Sequence, residues 1–453
     1  VEVHGARVTV VGLGASGLAA ARLLKSKGGI VTINDARSAE ALGTRAEEAM
    51  QAGIALSLGG HDAVALKQND LLVVSPGVPN LPEIVEAEAH GVRVVSEIEL
   101  ASWFVKGRIV GITGTNGKST VTTLVGQMCQ ASGRPTFVGG NLGTPLVEVV
   151  GTPAAGEDGI LVVELSSFQL ERVESFRAHV GVILNVTDDH LDRYASFAEY
   201  AAAKGRLFAG QLRDDAAIAP SGDALCTAMA QASAGTLHLF GGSEGAVCRD
   251  GDGIHDRTTG LRLSIAELGI QGEHNVDNAC AAALAARLAG VERAQIESVL
   301  RSFRGLAHRM QTVQTIREVA FLDDSKATNV GASVAAVLGL GRQGTRVVLI
   351  AGGVDKGGSY APLREVMASH GRGLVLIGDA ASLIEAELSK TGLPLVRATD
   401  MGDAVRKAHA LAAPGDAVLL APACASFDMF RSYAHRGDVF QAEVASLARE
   451  VQP

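Results

Sequence analysis

Ile109-Val-Gly-Ile-Thr-Gly-Thr-Asn-Gly-Lys-Ser-Thr120 is the stretch that decides the fold. Its first five residues, Ile109 to Thr113, form a short apolar run of the kind that makes a buried strand, and a helical pattern from about Ser119 to Ala131 follows directly. Between them lies Gly114-Thr115-Asn116-Gly117-Lys118-Ser119-Thr120. Successive backbone N–H groups at a helix N-terminus form an anion nest. Lys118 adds a cation for the β- and γ-phosphates of a nucleotide, and the Ser119 hydroxyl is of the type that ligates magnesium. The strict phosphate-loop pattern asks for Gly at position 112, where this chain has Ile, so the loop is a variant. A Gly-Lys-Ser tripeptide arises often by chance; the strand before it and the helix after it are what argue for a triphosphate site.

The same alternation of buried strand and helix runs outward in both directions. On the N-terminal side it includes Val8 to Val11, Ile30 to Asn34 and Leu71 to Ser75. On the C-terminal side it continues through Ile160 to Leu165 and Val180 to Leu184, then gives way to a Gly/Asp-rich stretch, Gly241 to Gly260, that reads as hairpins. A helix is clear from Asn275 to Ala289. A third block begins near Leu306, with buried strands at Val319 to Leu322, Val347 to Ala351, Leu374 to Ile377 and Ala417 to Ala421. A chain of 453 residues is too long for one core, and about 150 residues per domain suggests three. The expected division is 1–97, 98–305 and 306–453. The expected class is α/β, with a Rossmann-like N-terminal domain, a P-loop-type central ATPase domain and a Rossmann-like C-terminal domain.

Composition narrows the function classes. The chain is 47% hydrophobic, 20% charged and only 4% aromatic, with a formal net charge of −9. Scarce aromatics and the lack of a dense Lys/Arg block argue against a nucleic-acid surface. Five cysteines, Cys129, Cys226, Cys248, Cys280 and Cys424, lack metal-type spacing, and their odd number fits a reducing compartment. Cys424 lies near a candidate site, where a buried inert thiol is the simpler reading. No run reaches about 18 apolar residues, and Val1 to Val8 shows no basic leader segment. A cytoplasmic protein without membrane insertion is expected.

The strand at Val8 runs into Gly12-Leu-Gly14-Ala-Ser-Gly17 and a helix, the setting of a dinucleotide fingerprint. Gly12 permits the tight turn, Gly14 lets a ligand approach the backbone, and Gly17 lets helix pack on strand. Asp35, at the end of the next strand, is placed to accept from a ribose hydroxyl or a base. Alone, this motif suggests a nicotinamide oxidoreductase, with a plain βα turn as the bland alternative. Glu164 and His190 each follow an apolar run, and strand C-termini are where open α/β sheets place ligands. Asp188 and Asp189 read on spacing alone as a turn or helix cap. Lys204 sits in a helical pattern where a solvated lysine is the default. Asn275 and Asn278 share one helix face and also fit simple caps. In the third block Asp323-Asp-Ser-Lys-Ala-Thr-Asn329, Gly352-Gly-Val-Asp-Lys356 and Pro422-Ala-Cys-Ala-Ser426-Phe-Asp428 each follow a strand. If those strands are parallel, the three loops leave one sheet edge and converge on an anionic substrate.

In order along the chain, these motifs resemble the Mur ligases of peptidoglycan synthesis, in the branch that adds D-glutamate. The resemblance rests on Gly111 to Leu124, Glu164-Leu-Ser-Ser-Phe-Gln-Leu170, Ile183-Leu-Asn-Val-Thr-Asp-Asp-His-Leu-Asp-Arg-Tyr194, Asp324-Ser-Lys-Ala-Thr-Asn329 and Ala421-Pro-Ala-Cys-Ala-Ser426. It spans all three blocks, although Gly222 to Leu263 carries no family signature. It implies ATP-dependent amide-bond formation, through an acyl phosphate, between UDP-N-acetylmuramoyl-L-alanine and D-glutamate. It also reassigns the first glycine loop from NAD to UDP. Ala15, Ser16, Asp35 and Arg37 then look like uridine and diphosphate contacts, and Ser75, Gly77, Asn141 and Ser166 like further contacts to that substrate. Gly114 to Thr120, Asn275, Asn278, Arg309 and Asp324 look like the ATP site. Ser119, Glu164, His190 and Lys204, the last as a carbamylated lysine, look like the Mg2+ site; with Lys118, the last three form the expected catalytic set. Lys326, Thr328, Lys356, Ser426 and Tyr433 look like the D-glutamate site, Tyr433 being aligned only by its distance from Ser426. A monomer with small-molecule partners and a mobile C-terminal domain is expected.

Overall fold

The computed structural model describes residues 2–190, 193–270 and 272–451; Leu191 and Asp192 of the Ile183–Tyr194 motif lie outside the described residues. Three sheets follow one another along the chain. The first contains β1 (Arg7–Val11), β2 (Ile30–Asp35), β3 (Ala55–Leu58), β4 (Leu71–Val74) and β5 (Arg93–Ser96) in the order β3-β2-β1-β4-β5, all parallel. Strand order reverses between β1 and β4, which opens a crevice at their C-terminal ends where such sheets bind ligands.

The second sheet contains β6 (Arg108–Thr113), β7 (Thr136–Gly140), β8 (Ile160–Glu164), β9 (Val180–Ile183), β10 (Ala216–Pro220), β11 (Thr236–Phe240), β12 (Val247–Asp250), β13 (Gly253–Asp256) and β14 (Arg262–Ser264). Its order is β14-β13-β12-β11-β10-β9-β6-β8-β7. The strands from β7 through β12 are parallel, and β12, β13 and β14 form an antiparallel meander, the hairpins expected from the Gly/Asp-rich stretch. β6 lies between β8 and β9, and every residue of β8 is buried, Glu164 included. Burial on both faces is why these strands read as unbroken apolar runs.

The third sheet contains β15 (Gln311–Ile316), β16 (Val319–Asp323), β17 (Val347–Gly352), β18 (Gly371–Ile377), β19 (Leu395–Arg397) and β20 (Ala417–Leu420) in the order β15-β16-β20-β17-β18-β19. Only β15 is antiparallel to its neighbour. Val347, Leu349 and Ala351 pack on one face with the helices Val330–Gly341 and Ala361–His370, while Val348 and Ile350 pack on the other with Met401–Leu411 and Tyr433–Val451. The period of two along β17 supplies both cores at once. The adjacent parallel strands β16, β20 and β17 carry the three polar loops on one edge, as the sequence anticipates.

The chain divides into two compact units. The first comprises Val1–Val186, Ala198–Gln271 and Asn275–Phe303 and holds the first two sheets. The second comprises Thr187–Phe197, Gly272–His274 and Arg304–Pro453 and holds the third. Among the described residues no helix is long and apolar enough to cross a membrane.

Candidate active site

Local chemistry shapes the first glycine loop. Gly12 takes φ +97, open to glycine and strained for other residues, and its carbonyl accepts from Ser75 Oγ at 2.9 Å. A Cβ on Gly17 would lie 1.9 Å from the Gly12 oxygen, so the helix Ala15–Ser26 can approach the turn this closely only through glycine. A Cβ on Gly14 would meet nothing within 4 Å. The open side of Gly14 faces a cavity of about 550 Å³ lined, among others, by Ala15, Ser16, Asp35, Arg37, Ser75, Gly77 and Asn141. Those seven come from four strand ends. Ser166 does not line it; its hydroxyl closes a capping box with Gln169, which does. The buried Asp35 carboxylate accepts from Leu13 N–H at 2.7 Å and from the Arg37 guanidinium at 2.9 and 2.8 Å. The Arg37 fork holds that carboxyl well below its usual range. Asp35 thus braces the turn and presents a half-exposed arginine at the cavity rim, a setting suited to phosphate.

The second glycine loop is held from both sides. Gly114 and Gly117 take φ +147 and +85. The Thr115 N–H donates to Asn185 O at 2.9 Å and the Asn116 N–H to Asn185 Oδ1 at 2.8 Å. Lys118 Nζ donates to the carbonyls of Gly114 and Thr115, both at 2.8 Å, and the buried Lys204 donates to the same Gly114 carbonyl at 2.9 Å. Lys204 also lies 4.5 Å from the ring centroid of Tyr200, whose hydroxyl is 3.1 Å from Thr115 Oγ1. Asn278 packs so closely that a Cβ on Gly117 would lie 2.4 Å from its Oδ1, and its amide donates to Asn275 Oδ1 at 3.2 Å. Ser119 and Thr120 are buried in the first turn of the helix Lys118–Ala131.

Glu164 supplies the observation that bears on a cation. It is 2% exposed; Oε1 accepts from Asn141 Nδ2 at 2.7 Å, while Oε2 is buried with no hydrogen-bond partner among the described residues. A buried carboxylate oxygen without a partner is costly unless a ligand meets it. A hard cation such as magnesium, with hydroxyl and carboxylate oxygens as ligands, fits Ser119 and Glu164. His190 belongs to the second unit, at φ +55, with its N–H on Asp189 Oδ1 at 3.0 Å and its Nε2 3.7 Å from Asp189 Oδ2.

In the second unit the three polar loops are tied together. Ala423 N–H donates to Ala327 O at 2.9 Å, and Val354 and Ala425 exchange two backbone hydrogen bonds at 2.9 and 3.0 Å. Lys326 Nζ sits 3.9 Å from the Tyr433 ring centroid, which places both on one spot although they are distant in sequence. Thr328 N–H donates to Lys326 O at 2.8 Å, and Ser426 is buried beside the Val354–Ala425 bridge. Lys356 pairs with Asp189 Oδ1 at 3.3 Å, and Asn329 Nδ2 donates to Asp189 Oδ2 at 3.1 Å. Asp189 is therefore more than the turn its spacing suggested. Asp324 accepts from Met310 N–H at 3.2 Å; burial pushes its carboxyl up to about 7 against the pull of the Arg309 cation. The Cys424 thiol, 3.2 Å from Tyr360 Oη, is likewise pushed up to about 11 by burial, as expected of an inert cysteine.

Sequence reasoning passed over Arg436. Fully buried, it donates to Ser325 Oγ at 3.0 Å, Ser325 O at 2.8 Å and Cys424 O at 3.2 Å, clamping two of the three loops. Its only sequence signal is an arginine in the Tyr433–Val451 helix, and solvated helix arginines look the same.

Comparison with known proteins follows the same three-part division. The Mur ligase MurD-like N-terminal domain matches residues 6–96, the Mur ligase middle domain residues 112–286, and the Mur ligase glutamate ligase domain residues 308–424. The UDP-N-acetylmuramoylalanine--D-glutamate ligase of Anaeromyxobacter dehalogenans is 48% identical over 99% of both chains. That of Acidobacterium capsulatum is 44% identical over 97% of this chain and 96% of its own. Among solved structures, a pseudomurein peptide ligase type C from Methanothermus fervidus superposes with a TM-score of 0.61 at 18% identity, over 98% of this chain and 100% of that one. A UDP-N-acetylmuramate–alanine ligase from Thermotoga maritima gives the same TM-score and identity over the same shares. Identities that low speak to the shared fold alone.

Proposed function

The chain belongs to the Mur ligase family and is an ATP-dependent ligase that adds D-glutamate to UDP-N-acetylmuramoyl-L-alanine in peptidoglycan precursor synthesis; we propose the following residue-level account of how it does so. The observation that carries it is the meeting of Lys118 and Lys204 on one carbonyl, that of Gly114, in the phosphate loop.

The UDP moiety occupies the cavity beside Gly14, with Arg37 on a phosphate and Asn141 toward the muramoyl end. ATP lies on the Gly114–Thr120 loop, with Asn275 and Asn278 at its helix face and Arg309 and Asp324 completing the nucleotide site. The terminal carboxylate oxygen of the L-alanyl group attacks the γ-phosphorus, ADP leaves, and an acyl phosphate results. The D-glutamate amine, oriented by Lys326, Thr328, Lys356, Ser426 and Tyr433, attacks the carbonyl carbon. The tetrahedral intermediate expels phosphate as the nitrogen loses a proton. Lys118 offsets charge on the transferring phosphoryl group, and positioning supplies most of the acceleration.

Ser119, Glu164, His190 and Lys204 would hold Mg2+, which supplies charge neutralisation on the phosphate oxygens. Lys204 suits carbamylation because a buried ammonium is costly, while addition of CO2 to the amine with loss of a proton gives an anion able to ligate a cation. The enzyme acts as a monomer in the cytoplasm, in the three domains 1–97, 98–305 and 306–453.

The decisive experiment is phosphate release from ATP with UDP-N-acetylmuramoyl-L-alanine and a panel of amino acids. Turnover is expected with D-glutamate and not with L-glutamate. Activity with another amino acid, and none with D-glutamate, would overturn the assignment. The oxidoreductase reading of the Gly12–Gly17 loop loses its support in Asp35, whose carboxylate is taken by Leu13 and Arg37.

A further inference from the structure

The central sheet has a second cavity at the edge opposite its phosphate loop. Of about 340 Å³, it is lined by Arg108, Arg177, His179, Arg213 and His238 together with Asp214 and Asp215. Arg108 opens β6, His179 immediately precedes β9, and His238 lies in β11. β6 rises about 3.3 Å per residue, so Arg108 and Gly114 are separated by roughly 20 Å. The cavity is therefore no extension of the ATP site.

Its charges do not cancel. Arg177 is committed to Asp215 by two bonds, at 2.8 and 2.9 Å. Of the two carboxylates in the lining, that leaves Asp214 against both Arg108 and Arg213. Arg108 spends one of its five side-chain donors on Leu288 O at 3.3 Å. Arg213 and His238 have no side-chain hydrogen bond among the described residues. His179 Nδ1 accepts from Ile109 N–H at 3.1 Å, so the proton of its neutral ring sits on Nε2, ready to donate. Burial lowers the pKa of both histidines, which keeps them neutral donors near pH 7. In an acidic chain of net charge −9, a concave cluster of two available guanidinium groups and two imidazole N–H groups is not a general property of the surface.

We propose that this cavity is a second anion site, which binds a phosphate group through Arg108, Arg213, His179 and His238. Donors reaching in from several strands surround a tetrahedral acceptor better than a planar carboxylate. The volume exceeds that of a bare phosphate, so the phosphate of a small monoester fits as well as the free ion. Such a site lets a phosphorylated metabolite, or the phosphate released by the ligase itself, act on the ATPase sheet from its far edge.

The test is calorimetric titration of the whole enzyme with inorganic phosphate and, separately, with glycerol phosphate, while a non-hydrolysable ATP analogue saturates the catalytic loop. One saturable site is expected, retained in Lys118→Ala. It should be weakened about tenfold or more in Arg213→Glu, because a charge-assisted bond is worth about 1.5–3 kcal/mol. Arg213 is exposed, so its replacement leaves the core intact; Arg108→Ala should weaken binding in the same sense. Tighter binding of the monoester would identify a metabolite site, and equal affinity a product-phosphate site. No saturation up to about 10 mM, or binding lost in Lys118→Ala and unchanged in Arg213→Glu, overturns the proposal.

Discussion

Asn141 Nδ2 donates to Glu164 Oε1 at 2.7 Å, and this one bond joins the cavity beside the first glycine loop to the carboxylate beside the second. It uses one carboxylate oxygen and leaves Oε2 buried and without a partner among the described residues. Removing the partner of a metal-binding carboxylate typically costs about 10–100-fold in metal affinity. Asn141→Ala should accordingly raise the magnesium concentration for half-maximal activity by about that factor, and raise KM for the UDP substrate. A magnesium titration indistinguishable from wild type would remove Glu164 from the cation site.

Lys118→Ala should lower kcat by about 100–1,000-fold, the scale for losing one preorganised charge at a transferring group. The Gly114 carbonyl would still accept from Lys204, so the loop keeps a tether. Calorimetry should therefore show unchanged affinity for UDP-N-acetylmuramoyl-L-alanine. Loss of that binding together with turnover would mean that the two glycine loops do not serve separate ligands.

What the sequence disclosed and what it hid differ in kind. Gly12, Gly17, Gly114 and Gly117 were legible because a tight turn imposes its demand on the residue itself. The continuous runs of β6, β8, β17 and β20 were legible because burial on both faces keeps their interior positions apolar, with polar residues only at strand ends. The edge strands β3 and β15 were not, since Ala55-Leu-Ser-Leu58 is half exposed and Gln311-Thr-Val-Gln-Thr-Ile316 is largely polar. Asp189 was hidden for another reason: its partners Asn329 and Lys356 lie 140 and 167 residues away, and no local pattern encodes such a pairing. Arg436, 111 residues from Ser325, was hidden in the same way. The three-loop edge of the third sheet was inferable only because strand direction could be argued from topology.

Gly14 and Gly17, the last two glycines of the first loop, should separate stability from binding. In Gly17→Ala the new methyl meets a backbone oxygen at 1.9 Å and Ser75 Oγ at 2.7 Å, and the oxygen cannot retreat without opening the turn. A loss of about 3 kcal/mol is expected in urea unfolding. Gly14→Ala places its methyl in open space and should unfold like wild type, while binding the UDP substrate less tightly. Similar behaviour of the two variants in both assays would refute the distinct roles.

Glu97 should give the first unit an inverted pH dependence. Its carboxyl is buried and accepts from Val147 N–H at 2.7 Å, and its Oε2 has no hydrogen-bond partner among the described residues. Burial pushes it up from 4.5 to about 7, outweighing the backbone bonds that pull it down. Because the folded value is the higher one, the folded chain holds more protons than the unfolded chain between about pH 4.5 and 7. Stability therefore falls as pH rises through that window and levels off above it. A shift of that size corresponds to about 3 kcal/mol. Asp324, also raised to about 7, acts with the same sign in the second unit. Glu97→Gln keeps an acceptor for Val147 and removes the charge. Urea unfolding of the first unit should show the variant close to wild type near pH 4.5 and more stable by up to about 3 kcal/mol at pH 8. Parallel pH curves for the two proteins would show that Glu97 ionises in the folded chain at no cost, and would require a polar partner for Oε2.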